Sequence, residues 1–285
     1  MPELPEVETM VRGIRPHVEG RVLRRLEACP NSCRPLSMTP SLDQQVGQSR
    51  GQRVVEVKRR AKRIVLRLEN SLAFVIEPRM TGLLLLADPP DREHLRLVWR
   101  LSEGAGSGDL WFWDRRGLGT VSLLSPEQLE RRLGPGKLGP DALEMTTENW
   151  LAFCRSTSRA IKVALLDQAK VAGIGNLYAS EILHLCGIDP RRRASGLTRR
   201  EILELGEATR MVLLEAIQYE GSTLSDGTYR NALNRAGGYQ NQHRVYDRAG
   251  EACPRCGGTI RRIVQAQRAT FFCVECQHRT RRRNG

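Results

Sequence analysis

Four cysteines near the C-terminal end stand in two pairs, "CPRC" (Cys253, Cys256) and "CVEC" (Cys273, Cys276), with sixteen residues between the pairs. Thiolates at this spacing suit tetrahedral Zn2+, and four protein ligands close the site to water, so the metal would be structural. A disulfide framework is the alternative, disfavoured in a reducing compartment. At the other end, "MPELPEVETM" sets Glu3, Glu6 and Glu8 directly behind Pro2. If Met1 is removed, Pro2 is a free secondary amine. An α-amino group has a pKa of ~8, so a useful fraction is neutral and nucleophilic near pH 7. Such an amine forms an iminium, a covalent intermediate of the Schiff-base class, and the carboxyl of Glu3 beside it can move protons. Acidic residues in a first helical turn also favour the helix dipole, and that plainer reading is kept for Glu8.

Cations cluster elsewhere. "KRRAKR" (58–63) holds five in six residues. As a strand, its side chains would alternate between faces and could not all meet one ligand; a charge-protected edge strand is the competing reading. "AGIGNLYASE" (172–181) reads as a loop entering a helix, whose N-terminal N–H groups suit phosphate. "RRRASGLTRR" (191–200) is either a general phosphate contact or a solvated loop. His17, His94, His184, His243 and His278 show no ligand spacing and receive no catalytic role. Cys29, Cys33, Cys154 and Cys186 are expected as free thiols.

The elements that must position these residues follow from periodicity. Leu4, Val7, Val11 and Ile14 share one helical face, predicting a helix over 4–14 with Pro5 in its first turn. From about 50 to 124 the pattern turns to strands, with a Gly/Ser-rich hairpin loop at "SEGAGSGD". Several strands in series predict a β-sandwich. "GPGKLGPDAL" breaks the pattern, and helix starts follow at Thr147 and at Thr198, which forms a capping box with Glu201 for a helix to about Tyr219. The tail "GGTIRRIVQAQRATFF" has two β-like runs around "QAQR", a hairpin closed by the metal, with Arg261, Arg262 and Arg268 as candidate contacts. The fold class is therefore α+β multidomain, with a β-sandwich flanked by helices at 1–135, a linker at 136–143, a helical domain at 144–243, and a zinc finger with basic tail at 244–285.

Charge narrows the partner. The 285 residues carry a formal net charge of +13 and a pI near 9.9. Of 45 basic residues only Lys58, Lys62, Lys137, Lys162 and Lys170 are lysine. Arginine grips phosphate with a planar fork, so a polyanion is the natural partner. No run approaches the ~20 apolar residues of a membrane span, and the glutamate-rich start is no secretory signal. The expectation is a soluble, cytoplasmic protein.

Together "MPELPEVETMVRGI", "VKRRAK", "GIGNLYASEIL" and "QAQRATFFCVEC" resemble the formamidopyrimidine-DNA glycosylase family, from residue 2 to the last zinc cysteine. The opening "PEL" is typical of the formamidopyrimidine branch, whereas the related endonuclease VIII branch usually begins Pro-Glu-Gly. The resemblance implies an N-terminal β-sandwich, a helix–two-turns–helix domain and a zinc hairpin, with double-stranded DNA as partner and one structural Zn2+. It implies a base-excision repair glycosylase with AP lyase activity, a monomer that is nucleoid-associated when bound to DNA. Oxidised purines, 8-oxoguanine and formamidopyrimidines, would be excised through a Schiff base on Pro2, with strand cleavage by β,δ-elimination. It assigns Glu3 as general acid/base and Glu6 to a supporting role. Lys62, Asn176 and Arg268 would grip the phosphates of a flipped nucleotide. Met80, in "EPRMTGLL", would fill the gap that the nucleotide leaves.

One stretch departs from the family pattern. Where the family carries an Arg-Phe pair in an Asp-Pro-Arg-Arg-Phe-Gly loop, this chain reads "DRRGLG" (114–119). An ungapped match puts Gly117 and Leu118 at that pair; a shifted one brings Arg116 into the arginine's role. The loop 222–246 gives no legible lesion code. The rival readings are an endonuclease VIII-like enzyme for oxidised pyrimidines, a non-catalytic binder of damaged DNA, and a transcription-type zinc ribbon protein.

Overall fold

A computed structural model describes residues 2–29, 35–102, 108–224 and 227–278. Cys33, most of the "SEGAGSGD" loop and the end of the basic tail lie outside the described residues. The chain divides into two compact units, one of residues 1–135 with 216–240, the other of 136–215 with 241–285.

In the first unit, helix α1 (Leu4–Val18) buries Leu4, Val7, Met10, Val11, Ile14 and Val18, the i, i+3/i+4 face read from the sequence. It runs a turn beyond the expected end, past Pro16, and Glu19 N–H still closes on Arg15 O at 3.1 Å. Among the described residues nine strands follow: β1 (Leu23–Ala28), β2 (Ser37–Thr39), β3 (Val54–Arg60), β4 (Arg63–Leu68), β5 (Ala73–Glu77), β6 (Gly82–Leu85), β7 (Leu95–Leu101), β8 (Leu110–Asp114) and β9 (Thr120–Leu124), with α2 (Leu42–Ser49) after β2 and α3 (Pro126–Leu133) after β9. They form a four-stranded sheet, β1-β7-β8-β6, and a five-stranded sheet, β2-β9-β5-β4-β3. Apolar residues of both sheets and of α1 share one core, which Tyr229 and Ala232 complete. This is the expected sandwich.

"KRRAKR" is not one strand. β3 ends at Arg60, Ala61 turns with φ +55°, and β4 resumes at Arg63, paired with Arg60. Lys62 therefore stands in a hairpin turn. Glu8 also differs from expectation. Its oxygens accept Arg12 Nε at 2.8 Å and Arg59 Nε at 2.9 Å. Burial opposes ionisation there, but these two guanidinium groups outweigh it and hold the carboxyl below its usual range. Glu8 thus joins β3 to α1.

The second unit carries α4 (Thr147–Arg155), α5 (Ile161–Leu165), α6 (Asn176–Leu185), most of α7 (Arg199–Gln218) and the hairpin β10 (Ile260–Gln265)–β11 (Arg268–Cys273). α4 starts at Thr147 as expected, capped by Thr146, whose hydroxyl accepts Asn149 N–H at 3.2 Å. Thr198 and Glu201 exchange the two bonds of a capping box at 2.8 and 3.3 Å. Three arginines of the 191–200 run are used internally: Arg191 on Asp189 and over the Phe272 ring, Arg192 on Glu201, and Arg200 on Glu204.

Candidate active site

Pro2 and Glu3 are buried at the start of α1. Glu3 is the N-cap and Glu6 stands at N3; Glu6 Oε2 accepts Glu3 N–H at 2.9 Å, and the Glu3 carboxylate receives the N3 N–H in return. That Glu3 amide belongs to the Pro2–Glu3 peptide, so the bond fixes the peptide plane attached to Pro2. The other oxygen of Glu6 accepts Ser222 N–H at 2.9 Å. Gly221 approaches so closely, at φ +80°, that a Cβ there would lie 3.0 Å from Glu6 Cγ. Tyr229, fully enclosed, donates its hydroxyl toward the backbone oxygens of Glu6 and Glu220.

Lys62 is half-buried in the β3–β4 turn. The register of β3 along α1 is set by three side chains. Glu19 Oε1 accepts Val57 N–H at 2.6 Å, Arg15 Nε donates to Val57 O at 2.8 Å, and Glu8 holds Arg59. Passing from Val57 to Arg59 thus moves from residue 19 back to residue 8 of α1.

Two loops of the same unit expose apolar tips. Met80 lies in the 78–82 turn, where Gly82 N–H closes on Pro78 O at 2.9 Å and a Cβ on Gly82 would meet that oxygen at 2.6 Å. Leu118 lies in the 114–119 turn, where Gly117 takes φ +60°. Met80 and Leu118 are each 37% exposed. Thr81 joins the loops: its hydroxyl donates to buried Asp114 and accepts Arg116 N–H at 2.9 Å. Asp114 also takes Gly119 N–H at 2.7 Å, and buried Arg96 donates to the carbonyls of Asp114 and Arg115. Arg116 is exposed.

In the second unit, Asn176 is the first residue of α6, behind Gly175 as N-cap. Gly173, at φ +106°, and Gln168, which binds Gly173 N–H and Ile174 O, shape the approach. Sequence reasoning missed Lys162. It is fully buried, and its ammonium donates to Asn176 Oδ1 at 2.5 Å and to Ala269 O at 3.2 Å. An ammonium has no acceptor, so Asn176 must turn its oxygen inward and present Nδ2 as donor. Ala269 follows Arg268, which is exposed at the start of β11 behind the left-handed pair Ala266 and Gln267. One buried lysine therefore links both expected phosphate ligands of this unit. The nearest sequence signal was a lysine kept in an arginine-rich chain.

The ligand atoms of Cys253, Cys256, Cys273 and Cys276 lie within 4.8 Å of one another, with Sγ–Sγ separations of 3.8 Å (Cys253–Cys276) and 3.4 Å (Cys256–Cys273). Zn–S bonds of about 2.3 Å in a tetrahedron place sulfurs about 3.8 Å apart, so the four residues fit zinc. His184, given no role from sequence, sits with Nε2 3.2 Å from Cys253 Sγ. Burial, with Arg255, Arg244 and Arg248 nearby, pushes its pKa down to about 4. The ring is neutral, and an Nε2–H tautomer donates to the thiolate from the second coordination sphere.

Comparison with known proteins matches these parts in order. The formamidopyrimidine-DNA glycosylase N-terminal domain matches residues 1–121, the formamidopyrimidine-DNA glycosylase H2TH domain 138–228, and the zinc finger found in FPG and IleRS 250–279. A formamidopyrimidine-DNA glycosylase of Chloroflexus aurantiacus is 42% identical, over 97% of this chain and 98% of its own. That of Paracoccus denitrificans is 40% identical, over 97% and 100%. The chain belongs to the formamidopyrimidine-DNA glycosylase family. Among solved structures, the MutM (Fpg) protein of Thermus thermophilus superposes with a TM-score of 0.84 at 36% identity, covering 97% of this chain and 98% of that one. Lactococcus lactis Fpg bound to abasic-site DNA gives 0.86 at 30% identity, covering 96% and 99%. A formamidopyrimidine-DNA glycosylase accounts for the N-terminus and the ribbon together, which a transcription-type zinc ribbon does not. Among the described residues no helix is long and apolar enough to cross a membrane.

The zinc of this family member is structural, since all four ligands come from protein. Chelation, or Cys273→Ser, should release one zinc per chain, measured by elemental analysis, and lower both melting temperature and DNA affinity as the Arg268 hairpin loosens. Lys162→Met keeps the buried volume but frees the Asn176 amide to rotate. Hydrogen bonds to charged groups contribute roughly 1.5–3 kcal/mol, so duplex affinity should fall about tenfold or more by fluorescence anisotropy. Asn176→Ala should add little in that background.

Proposed function

We propose that this chain excises oxidised purines, 8-oxoguanine and formamidopyrimidines, from double-stranded DNA and cleaves the strand at the resulting abasic site. Its curated relatives carry the formamidopyrimidine-DNA glycosylase name, and one solved relative is a complex of a mutant Lactococcus lactis Fpg with a DNA containing Fapy-dG. That supports the purine branch over the endonuclease VIII-like one. The observation that carries the chemistry is the capped, buried start of α1, which holds Pro2 and Glu3 in one fixed arrangement. A protein that only binds damage needs neither residue.

With Met1 removed, the Pro2 nitrogen attacks C1′ of the flipped nucleotide. The C1′–base bond breaks, and the base leaves with a proton. Glu3 donates a proton to the sugar ring oxygen, the ring opens, and the secondary amine is left as an iminium. The iminium acidifies the C2′ proton; its loss expels the 3′ phosphate, and a second elimination expels the 5′ phosphate. Lys62, Asn176 and Arg268 hold the backbone phosphates, which fixes position without reading sequence. The protein acts as a monomer in the cytoplasm, on nucleoid DNA.

Met80 and Leu118 are the apolar side chains that fill the vacated stack. They are exposed on two loops that Thr81 and Asp114 tie together. Gly117, in a left-handed conformation, brings no side chain to the orphaned base.

Borohydride should trap this chain covalently on abasic DNA, with the adduct mapping to Pro2. A blocked or extended N-terminus should abolish trapping; an adduct on Lys62 would move the nucleophile there. Glu3→Gln should slow single-turnover excision roughly 10²–10⁴-fold, the range for a positioned acid/base. Discrimination by a bidentate pair is worth ~1–3 kcal/mol, and Gly117 cannot supply it. Excision of 8-oxoguanine opposite each of the four bases should therefore show a weak preference for cytosine. A strong preference that vanishes in Arg116→Ala would assign the role to Arg116.

A further inference from the structure

The carboxylate of Glu6 ties the start of its own helix to a segment 216 residues further along the chain. Oε2 takes the N–H of Glu3 and Oε1 the N–H of Ser222, each at 2.9 Å, and the side chain is 3% exposed. The first bond sets the peptide attached to Pro2. The second sets the start of the segment that leaves α7. The described residues of that segment are tightly braced: Thr223 N–H reaches Gln240 Oε1 at 3.0 Å, Thr223 Oγ1 donates to Tyr229 O at 2.7 Å, and Asn231 Nδ2 donates to Glu220 at 2.8 Å. Gly221 has no room for a side chain against Glu6. A shift at 221–223 must therefore break a bond to Glu6 or move Glu6, and moving Glu6 turns the Pro2–Glu3 peptide.

We infer that Glu6 is a positioning residue that couples the conformation of residues 221–224 and 227–240 to the aim of the Pro2 nitrogen. The inference rests on Pro2 as the nucleophile. The segment and the Pro2–Glu3 peptide are bound to opposite oxygens of one buried group, so neither is adjusted alone. The two oxygens are both needed. Glutamine has the same shape but a single acceptor, so Glu6→Gln keeps one N–H satisfied and sets an amide NH2 against the other.

The test uses abasic duplex, where no base is present for the segment to read. Single-turnover borohydride trapping is measured for the intact chain, Glu6→Gln, Gly221→Ala and the double variant, with duplex affinity measured alongside. Groups in one hydrogen-bonded network give non-additive effects. Each single variant should slow trapping about tenfold at unchanged duplex affinity, and the double variant should be no slower than the single ones. Effects that multiply, or a loss confined to affinity, would overturn the coupling. If Glu6→Gln does not fold, amide exchange of Glu3 and Ser222 in the intact chain replaces it. Their N–H protection should rise together when abasic duplex binds, and a change in one alone overturns the proposal. Failure of the intact chain to trap at all, or an adduct on another residue, would instead refute Pro2 as nucleophile.

Discussion

A carboxylate taken out of water must have its oxygens satisfied, because an unpaired buried charge costs several kcal/mol. The working loops of this protein are held by that requirement. Glu6 binds the N–H groups of Glu3 and Ser222. Asp114 binds Thr81 and Gly119 and so shapes the turn that carries Leu118. Glu181, fully buried on α6, receives the N–H groups of Arg244, Val245 and Tyr246 at 2.8–3.0 Å. Burial still pushes its pKa up against those bonds. In each case a short side chain on a regular element pins an irregular stretch of backbone. The loops are as well placed as the helices and strands that hold the acids.

The basic excess is only partly available to a polyanion. Arg59, Arg191 and Arg192 are paired with Glu8, Asp189 and Glu201 inside their own units. Arg63, Arg79 and Arg132 converge on one buried acid, Glu77. Arginine suits these uses because it stays charged and donates in a fixed fork. Lysine appears where a compact cation is wanted, and Lys162 shows why. Its ammonium points three donors from a single atom, and two of them hold an amide oxygen and a carbonyl beside the turn of the hairpin.

Metal and hydrogen bonds divide the work at the hairpin. Two strands of six residues each, with exposed Arg261, Arg262 and Val264, bury too little to be stable alone. The four thiolates close its base, Val245, Ile260 and Phe271 supply a small core, and Lys162 and Gln265 fasten it to the helical part of its unit. Arg268 is thereby presented at a turn whose two left-handed residues are neither glycine nor asparagine.

What the sequence determined by itself is what short-range covalent spacing controls. The cysteine pairs, the apolar face of α1, the capping box of Thr198 and Glu201, and the Pro2-Glu3 step were all legible, because each depends on residues a few positions apart. The tertiary structure alone decided the partners brought from far along the chain: Ser222 to Glu6, Arg59 to Glu8, Lys162 to the hairpin, His184 to Cys253. No local pattern marks such pairs, since neither residue type demands the other. Lys62 shows the limit at short range too. Alternation predicted a strand, but a two-residue turn through Ala61 interrupted it, and alanine carries no signal for a left-handed turn. The residues near Pro2 stand together in the sequence; the contacts that hold them to the rest of the unit exist only once the chain has folded.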